Sequence, residues 1–218
     1  MTRTFAIAAT VSVIALMGVS FAQAGIFSDL LKAFRGDDDV FAQCRNGAVA
    51  GGAGAIGGDF TLVDETGRTV TSAEVLKEPS LIYFGYTFCP DICPVDAARN
   101  AESVEILESR GINVQPVFIS IDPARDTPEV LAEYTDYMHP RMVGLTGSPE
   151  QVKAASMAYR TYYNAQKPED GDEDYYLVDH STFSYLTLPE QGFVEFYRRD
   201  VSAEAMADSV QCFVEAGS

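Results

Sequence analysis

The segment that constrains this chain most runs from Leu81 to Pro94. Leu81-Ile82-Tyr83-Phe84-Gly85-Tyr86 carries no charge, and it opens directly into Thr87-Phe88-Cys89-Pro90-Asp91-Ile92-Cys93-Pro94. A short, unbroken apolar run suits a strand covered on both faces, because a strand with one wet face would alternate. Covering both faces calls for helices on both sides of a sheet, which is an α/β architecture. A helix should follow at once: Ala97, Val104 and Leu107 recur near helical spacing, and Gly111 supplies the stop. Pro94 suits the first helical position, which would make Cys93 the cap residue and turn the helix's unpaired N–H groups toward two sulfurs.

The rest of the chain agrees with this architecture. Asp59–Asp64 and Thr69–Thr71 flank Glu65-Thr66-Gly67-Arg68, a hairpin signal. Val114 to Ile121 reads as a second buried strand and Met142 to Thr146 as a third. Thr127-Pro128-Glu129 and Ser148-Pro149-Glu150 each open a helix with a cap, a proline and an acid in the first turn. Phe183 to Leu188 and Phe193 to Arg198 are late strands, and a closing helix buries Met206, Val210 and Phe213. This is the element order of a thioredoxin-like fold with a central mixed sheet, enlarged by an N-terminal hairpin and by a helix inserted between the second and third central strands. The folded domain is expected over 58–215.

Ahead of it, Ala22-Gln23-Ala24 closes an apolar stretch, Phe5 to Phe21, in which the preceding charge is Arg3. Residues 1–24 read as a secretory signal peptide, with an uncleaved N-terminal membrane anchor as the alternative. Either places the domain outside the cytoplasm, in the periplasm for a bacterial protein, where disulfides persist. Residues 25–57, with Asp37-Asp38-Asp39 and a Gly/Ala-rich run, read as a lead-in and linker.

Charge narrows the partners. Over 218 residues, Lys+Arg total 15 against Asp+Glu 32, a formal net charge of −17. Nucleic acid is therefore excluded as a partner, since its recognition needs clustered Lys and Arg. Just 4 cysteines and 2 histidines are present, so thiol or soft-metal chemistry must draw on Cys44, Cys89, Cys93, Cys212, His139 and His180.

Cys89 and Cys93 can close a disulfide or converge on one soft ion. Three residues separate them, where a thioredoxin-type oxidoreductase has two, and the intervening Asp91 disfavours a thiolate unless a cation is bound too. The pair thus suits metal holding better than attack on disulfides, with an ordinary disulfide as the plain alternative. His139, at a helix end cut off by Pro140, suits helix capping better than ligation. His180 lies in Leu177-Val178-Asp179-His180-Ser181-Thr182, and in a thioredoxin-like topology that loop folds over the cysteine turn; the alternative is a surface histidine held by Asp179 or Ser181. Two thiolates and an imidazole make a trigonal soft site suited to Cu(I), able to accept Cu(II) with an added ligand, and open to zinc as well. The stretch Asn164 to Tyr176, carrying Glu169, Asp170, Asp172, Glu173 and Asp174, reads as a solvated acidic loop or as a mobile flap that carries His180. Cys44 and Cys212 remain as a pair that would tie the chain ends together as a structural disulfide, with free buried cysteines as the alternative.

With these pieces assembled, the sequence resembles the Sco/SenC family of copper-binding assembly factors for cytochrome c oxidase. The carriers are Tyr83–Pro94, the stretch Phe118-Ile119-Ser120-Ile121-Asp122-Pro123-Ala124-Arg125-Asp126-Thr127-Pro128, and Val178-Asp179-His180-Ser181. The resemblance implies copper held by Cys89, Cys93 and His180, with Asp179 and Asp122 supporting the ligands. It also implies a metallochaperone that delivers copper to the Cu(A)-bearing subunit of the oxidase, or reduces that subunit's cysteines. Another copper chaperone or a thiol reductant would be a further partner, and the protein would act as a monomer. Most members keep a membrane anchor, which Ala22-Gln23-Ala24 does not suggest, and the Cys44/Cys212 pair is not among the shared motifs. A peroxiredoxin-like peroxidase would want a lone activated cysteine beside an arginine; a copper sensor or store would share the binding chemistry.

Overall fold

A computed structural model describes residues 39–45, 52–167 and 175–218 of the chain. The signal-peptide reading of 1–24, most of the lead-in, and the acids Glu169, Asp170, Asp172, Glu173 and Asp174 lie outside the described residues.

The expected hairpin forms first, as β1 (Thr61–Asp64) and β2 (Thr69–Thr71), paired antiparallel with Leu62 opposite Val70. Asp64 organises its turn, accepting the N–H groups of Thr66 and Arg68 at 3.0 Å each. A single helical turn, α1 (Ser72–Val75), is closed by a Thr71/Glu74 capping box. The apolar run becomes β3 (Ser80–Gly85), every residue of it buried, and leads into α2 (Ile92–Ser109). β4 (Gln115–Ser120), α3 (Pro128–Met138), β5 (Val143–Thr146) and α4 (Pro149–Ala158) follow. Thr127 and Ser148 cap α3 and α4 with their side chains, as their sequences require. The chain closes through β6 (Tyr163–Gln166), β7 (Leu177–His180), β8 (Ser184–Leu188), β9 (Gly192–Tyr197) and α5 (Ala203–Ala216).

The main sheet has the order β2-β1-β5-β4-β3-β8-β9. Its centre is parallel, β3 with β4 and β4 with β5, while β1, β8 and β9 join antiparallel. This is the mixed thioredoxin-like sheet expected from the sequence. Successive strand residues point to opposite faces, so Leu81 packs with Val104 and Leu107 of α2 and Met206, Val210 and Phe213 of α5. Ile82 and Phe84 pack instead with Leu131 of α3 and with Val152 and Ala155 of α4. Helices on both faces explain why β3 tolerates no polar alternation. Cys44 and Cys212 are bonded, with Cα atoms 5.7 Å apart, on the α5 side of the sheet.

Two expectations need correction. The stretch from Asn164 to Tyr176 is not loop throughout: residues 164–166 belong to β6, which pairs with β7 in a separate two-stranded sheet, Tyr163 opposite His180. His180 therefore ends a strand rather than riding a loop. Cys93 is not the cap of α2 either; the cap is Asp91, and Pro94 occupies the third helical position. Any of the first-turn positions lacks an intrahelical N–H partner, so proline is accommodated there as well as at the first.

Candidate metal centre

β3 carries the chain to the cysteines past Gly85, where there is no room for a side chain. A Cβ there would lie 2.8 Å from the Tyr83 ring and 3.0 Å from the Phe118 ring. The next turn is pinned by Asp126, fully buried, whose carboxylate accepts the Thr87 N–H at 3.1 Å, the Thr87 hydroxyl at 2.6 Å and the Ser120 hydroxyl at 2.6 Å. Burial raises the Asp126 carboxyl pKa, and those donors only partly oppose it.

Asp91 caps α2 without a side-chain bond. The Sγ of Cys89 takes over that role, accepting the N–H of Cys93 at 3.2 Å. Hydrogen bonding from the Cys93 thiol brings the Cys89 pKa down to about 3, against the burial that would raise it; the backbone N–H groups of Cys93 and Asp91 add to the effect. Asp91 thus favours the thiolate through its main chain. The same Cys89–Cys93 contact, with burial, pushes Cys93 up, so one sulfur carries the charge and the other the proton. Cys89 is half-buried and Cys93 fully so.

His180 arrives from the end of β7. Its Nε2 stands 3.3 Å from the Cys93 Sγ, and its Nδ1 is 2.8 Å from the carbonyl of Ser181. A carbonyl can only accept, so Nδ1 carries the hydrogen and, in the neutral ring, Nε2 presents its lone pair to the sulfurs. Tyr83 and Tyr86 wall the imidazole edge-on, at 6.2 and 5.9 Å between ring centres. The Tyr86 hydroxyl also accepts the Val178 N–H at 3.2 Å, tying β7 to the cysteine turn. The ligand atoms of Cys89, Cys93 and His180 all lie within 4.8 Å of one another, the one such Cys/His/acid grouping among the described residues.

His139 is elsewhere, as its sequence context implies: it is the C-cap of α3, its Nδ1 accepting the Arg141 N–H at 3.1 Å. Neither carboxylate expected to support His180 touches its ring. Asp179 neighbours His180 on a strand and so faces the other way, accepting from the Gln166 amide at 2.7 Å. Asp122 meets β7 further back, accepting the Tyr176 hydroxyl at 2.6 Å and pairing with the Arg125 Nε at 2.5 Å. The residues that do hold the site, Tyr83, Tyr86, Asp126 and the Ser181 carbonyl, carry no spacing signal, although all four stand within the quoted motifs.

Comparison with known proteins agrees with this geometry. The SCO1/SenC family model matches residues 49–215. The chain is 51% identical over 214 residues to Protein SenC of Rhodobacter capsulatus, covering 98% of this chain and 91% of that one. It is 44% identical over 167 residues to Protein SCO1 homolog 1, mitochondrial, of Arabidopsis thaliana, covering 76% of this chain and 49% of that longer protein. Among solved structures, that of yeast Sco1 with copper bound superposes with a TM-score of 0.69 at 41% identity, over 74% of this chain and 89% of that one.

Proposed function

The chain belongs to the SCO1/SenC family, and from that premise we propose that it is a copper chaperone holding a single copper ion through Cys89, Cys93 and His180. The observation that carries this reading is the convergence of two sulfurs and the Nε2 of an oriented imidazole within 4.8 Å. Soft thiolates with one imidazole suit Cu(I), and three ligands leave room for a fourth from a receiving protein. Copper is cargo here: transfer exchanges these ligands for the acceptor's. The acceptor in this reading is the Cu(A)-bearing subunit of cytochrome c oxidase, with nucleic acid playing no part. Export to the periplasm, by the signal peptide or anchor read in residues 1–24, fits both that acceptor and the Cys44–Cys212 bond, which an oxidising compartment preserves.

A second reading has support of its own in the low Cys89 pKa. A thiol-disulfide reductase would attack a partner disulfide with the Cys89 thiolate, releasing one partner thiolate; Cys93 would then resolve the mixed disulfide, its two electrons leaving with the reduced partner. The readings part at His180, which copper binding requires and disulfide exchange does not.

Anaerobic titration of the reduced protein with Cu(I), beside Cys89→Ser, Cys93→Ser and His180→Ala, tests the proposal. A stoichiometry near one, lost in each variant, is expected. Full oxidase assembly supported by His180→Ala would sink the chaperone reading.

A further inference from the structure

We propose that Arg125 is a positioning residue for this centre, setting the spacing between the turn that bears the cysteines and the strand that bears the histidine. Those segments belong to different sheets: the cysteine turn follows β3 of the main sheet, and His180 ends β7 of the small one. A short main-chain link carries His180 into β8, which pairs with β3, and beyond that link their relative placement depends on side chains bridging them. Arg125 touches both. Its guanidinium carbon is 4.7 Å from the ring centre of Phe88, next to Cys89, and 3.7 Å from that of Tyr176, four residues ahead of His180. The Tyr86 ring is 5.8 Å away.

The guanidinium is itself held. Its Nε pairs with Asp122 Oδ2 at 2.5 Å, and Asp122 Oδ1 accepts the Tyr176 hydroxyl at 2.6 Å, closing a ring of contacts through Arg125, Asp122 and Tyr176. The Asp122 N–H in turn donates to the Ser120 hydroxyl at 3.0 Å, on the turn whose Asp126 pins Thr87. One short turn, Ser120 to Asp126, thereby grips the cysteine segment at Thr87 and Phe88 and the histidine strand at Tyr176. A planar guanidinium can stack on two aromatic faces while its edge binds a carboxylate; an ammonium cannot. None of these groups is a copper ligand, so their effect on copper is through distance and orientation.

The inference rests on the copper reading, and its test separates the two. The full chain is compared with Arg125→Lys, which keeps the charge, and Tyr176→Phe, which keeps the stacked ring and removes only the hydroxyl. Three quantities are measured: Cu(I) affinity by anaerobic competition with a chromogenic chelator, the spin-resonance and thiolate-to-copper absorption spectra of the Cu(II) form, and amide exchange at Val178 in the metal-free protein. Both variants should bind one copper with affinity lowered about 10-fold or more, show shifted Cu(II) spectra, and exchange faster at Val178. Wild-type affinity and spectra in both would overturn the inference. Should the unaltered protein take no copper, the chaperone reading falls, and unchanged Val178 exchange in both variants would then overturn the positioning role. If Arg125→Lys does not fold, Tyr176→Phe alone decides by the same criteria.

Discussion

Breaking the Cys44–Cys212 bond should weaken the fold strongly while leaving the metal centre as it is. The bond spans a sequence separation of 168 residues. Cross-linking over so long a loop removes unfolded-state entropy worth about 5 kcal/mol at 25 °C on the chain-entropy model, an upper figure because residual unfolded structure reduces it. For a domain of this size each kcal/mol moves the melting temperature by roughly 2–4 °C, so the full effect is about 10–20 °C. The two halves of the bond lie in the cluster formed by Phe41, Leu188, Val210 and Phe213, whereas Cys93 packs in the cluster on Tyr83 and Tyr86. The assay is calorimetric melting of the protein and of a Cys44→Ala/Cys212→Ala variant, each with and without reductant, together with copper titration. Reductant acts on Cys89 and Cys93 in both proteins, so the variant isolates their contribution. The oxidised protein should melt well above its reduced form, the variant should melt near the reduced form, and copper stoichiometry should be the same in the reduced protein and the reduced variant. Equal melting temperatures for oxidised protein and variant would refute the reasoning.

Two further substitutions probe the frame of the site. Gly85→Ala sets a methyl group 2.8 Å from the Tyr83 ring and 3.0 Å from Phe118, in a wholly buried strand; we expect a loss of about 1–3 kcal/mol in denaturant titration, together with weaker copper binding because Tyr83 walls His180. Asp126→Asn keeps an acceptor for the Thr87 N–H but cannot ionise. Because burial raises the native pKa of Asp126 above the ordinary 3.8 of an aspartate, the folded state binds this proton more tightly than the unfolded one. That contribution to stability is present below pH 3.8 and is lost as pH rises through the raised native value. The unfolding free energy of Asp126→Asn, measured against pH, should therefore fall less steeply over that window than that of the unaltered protein, and parallel curves would refute the assignment.

What the sequence disclosed and what it hid differ for a physical reason. β3 was legible because burial on both faces leaves an unbroken apolar run, and α3 and α4 because their Thr-Pro-Glu and Ser-Pro-Glu openings are local chemistry. The cluster of Cys89, Cys93 and His180 was legible through scarcity: with 2 histidines and 4 cysteines, few groupings exist. β6 was not, since Tyr163-Asn164-Ala165-Gln166 is largely exposed and has no alternation; it is a strand because β7 pairs with it, which no local pattern announces. Buried carboxylates were hidden in the same way. Asp126 is specified by Thr87, 39 residues away, and Asp96 by the Tyr83 hydroxyl and Arg199, so neither belongs to any periodic face. The expectation that a carboxylate would orient His180 failed on strand geometry, which turns Asp179 away from the ring it adjoins.

The placement of His180 bears on how the two functional readings weigh against each other. Disulfide exchange is complete with the Cys89 thiolate, the Cys93 thiol and the helix turn joining them; a histidine contributes at most another hydrogen bond to Cys89. Yet the imidazole is fixed with more groups than that contribution needs. The Ser181 carbonyl settles which nitrogen carries the hydrogen, two tyrosine rings set the plane, and Tyr86 anchors the strand behind it through the Val178 N–H. Fixing the tautomer matters little to a residue that merely donates to a sulfur, since a protonated ring would donate better. It matters to a residue that must offer a lone pair at Nε2 to an ion shared with two sulfurs. The site's architecture is thus concentrated on the one residue that thiol chemistry could spare, which is where a copper chaperone and a reductase built on the same cysteines should differ.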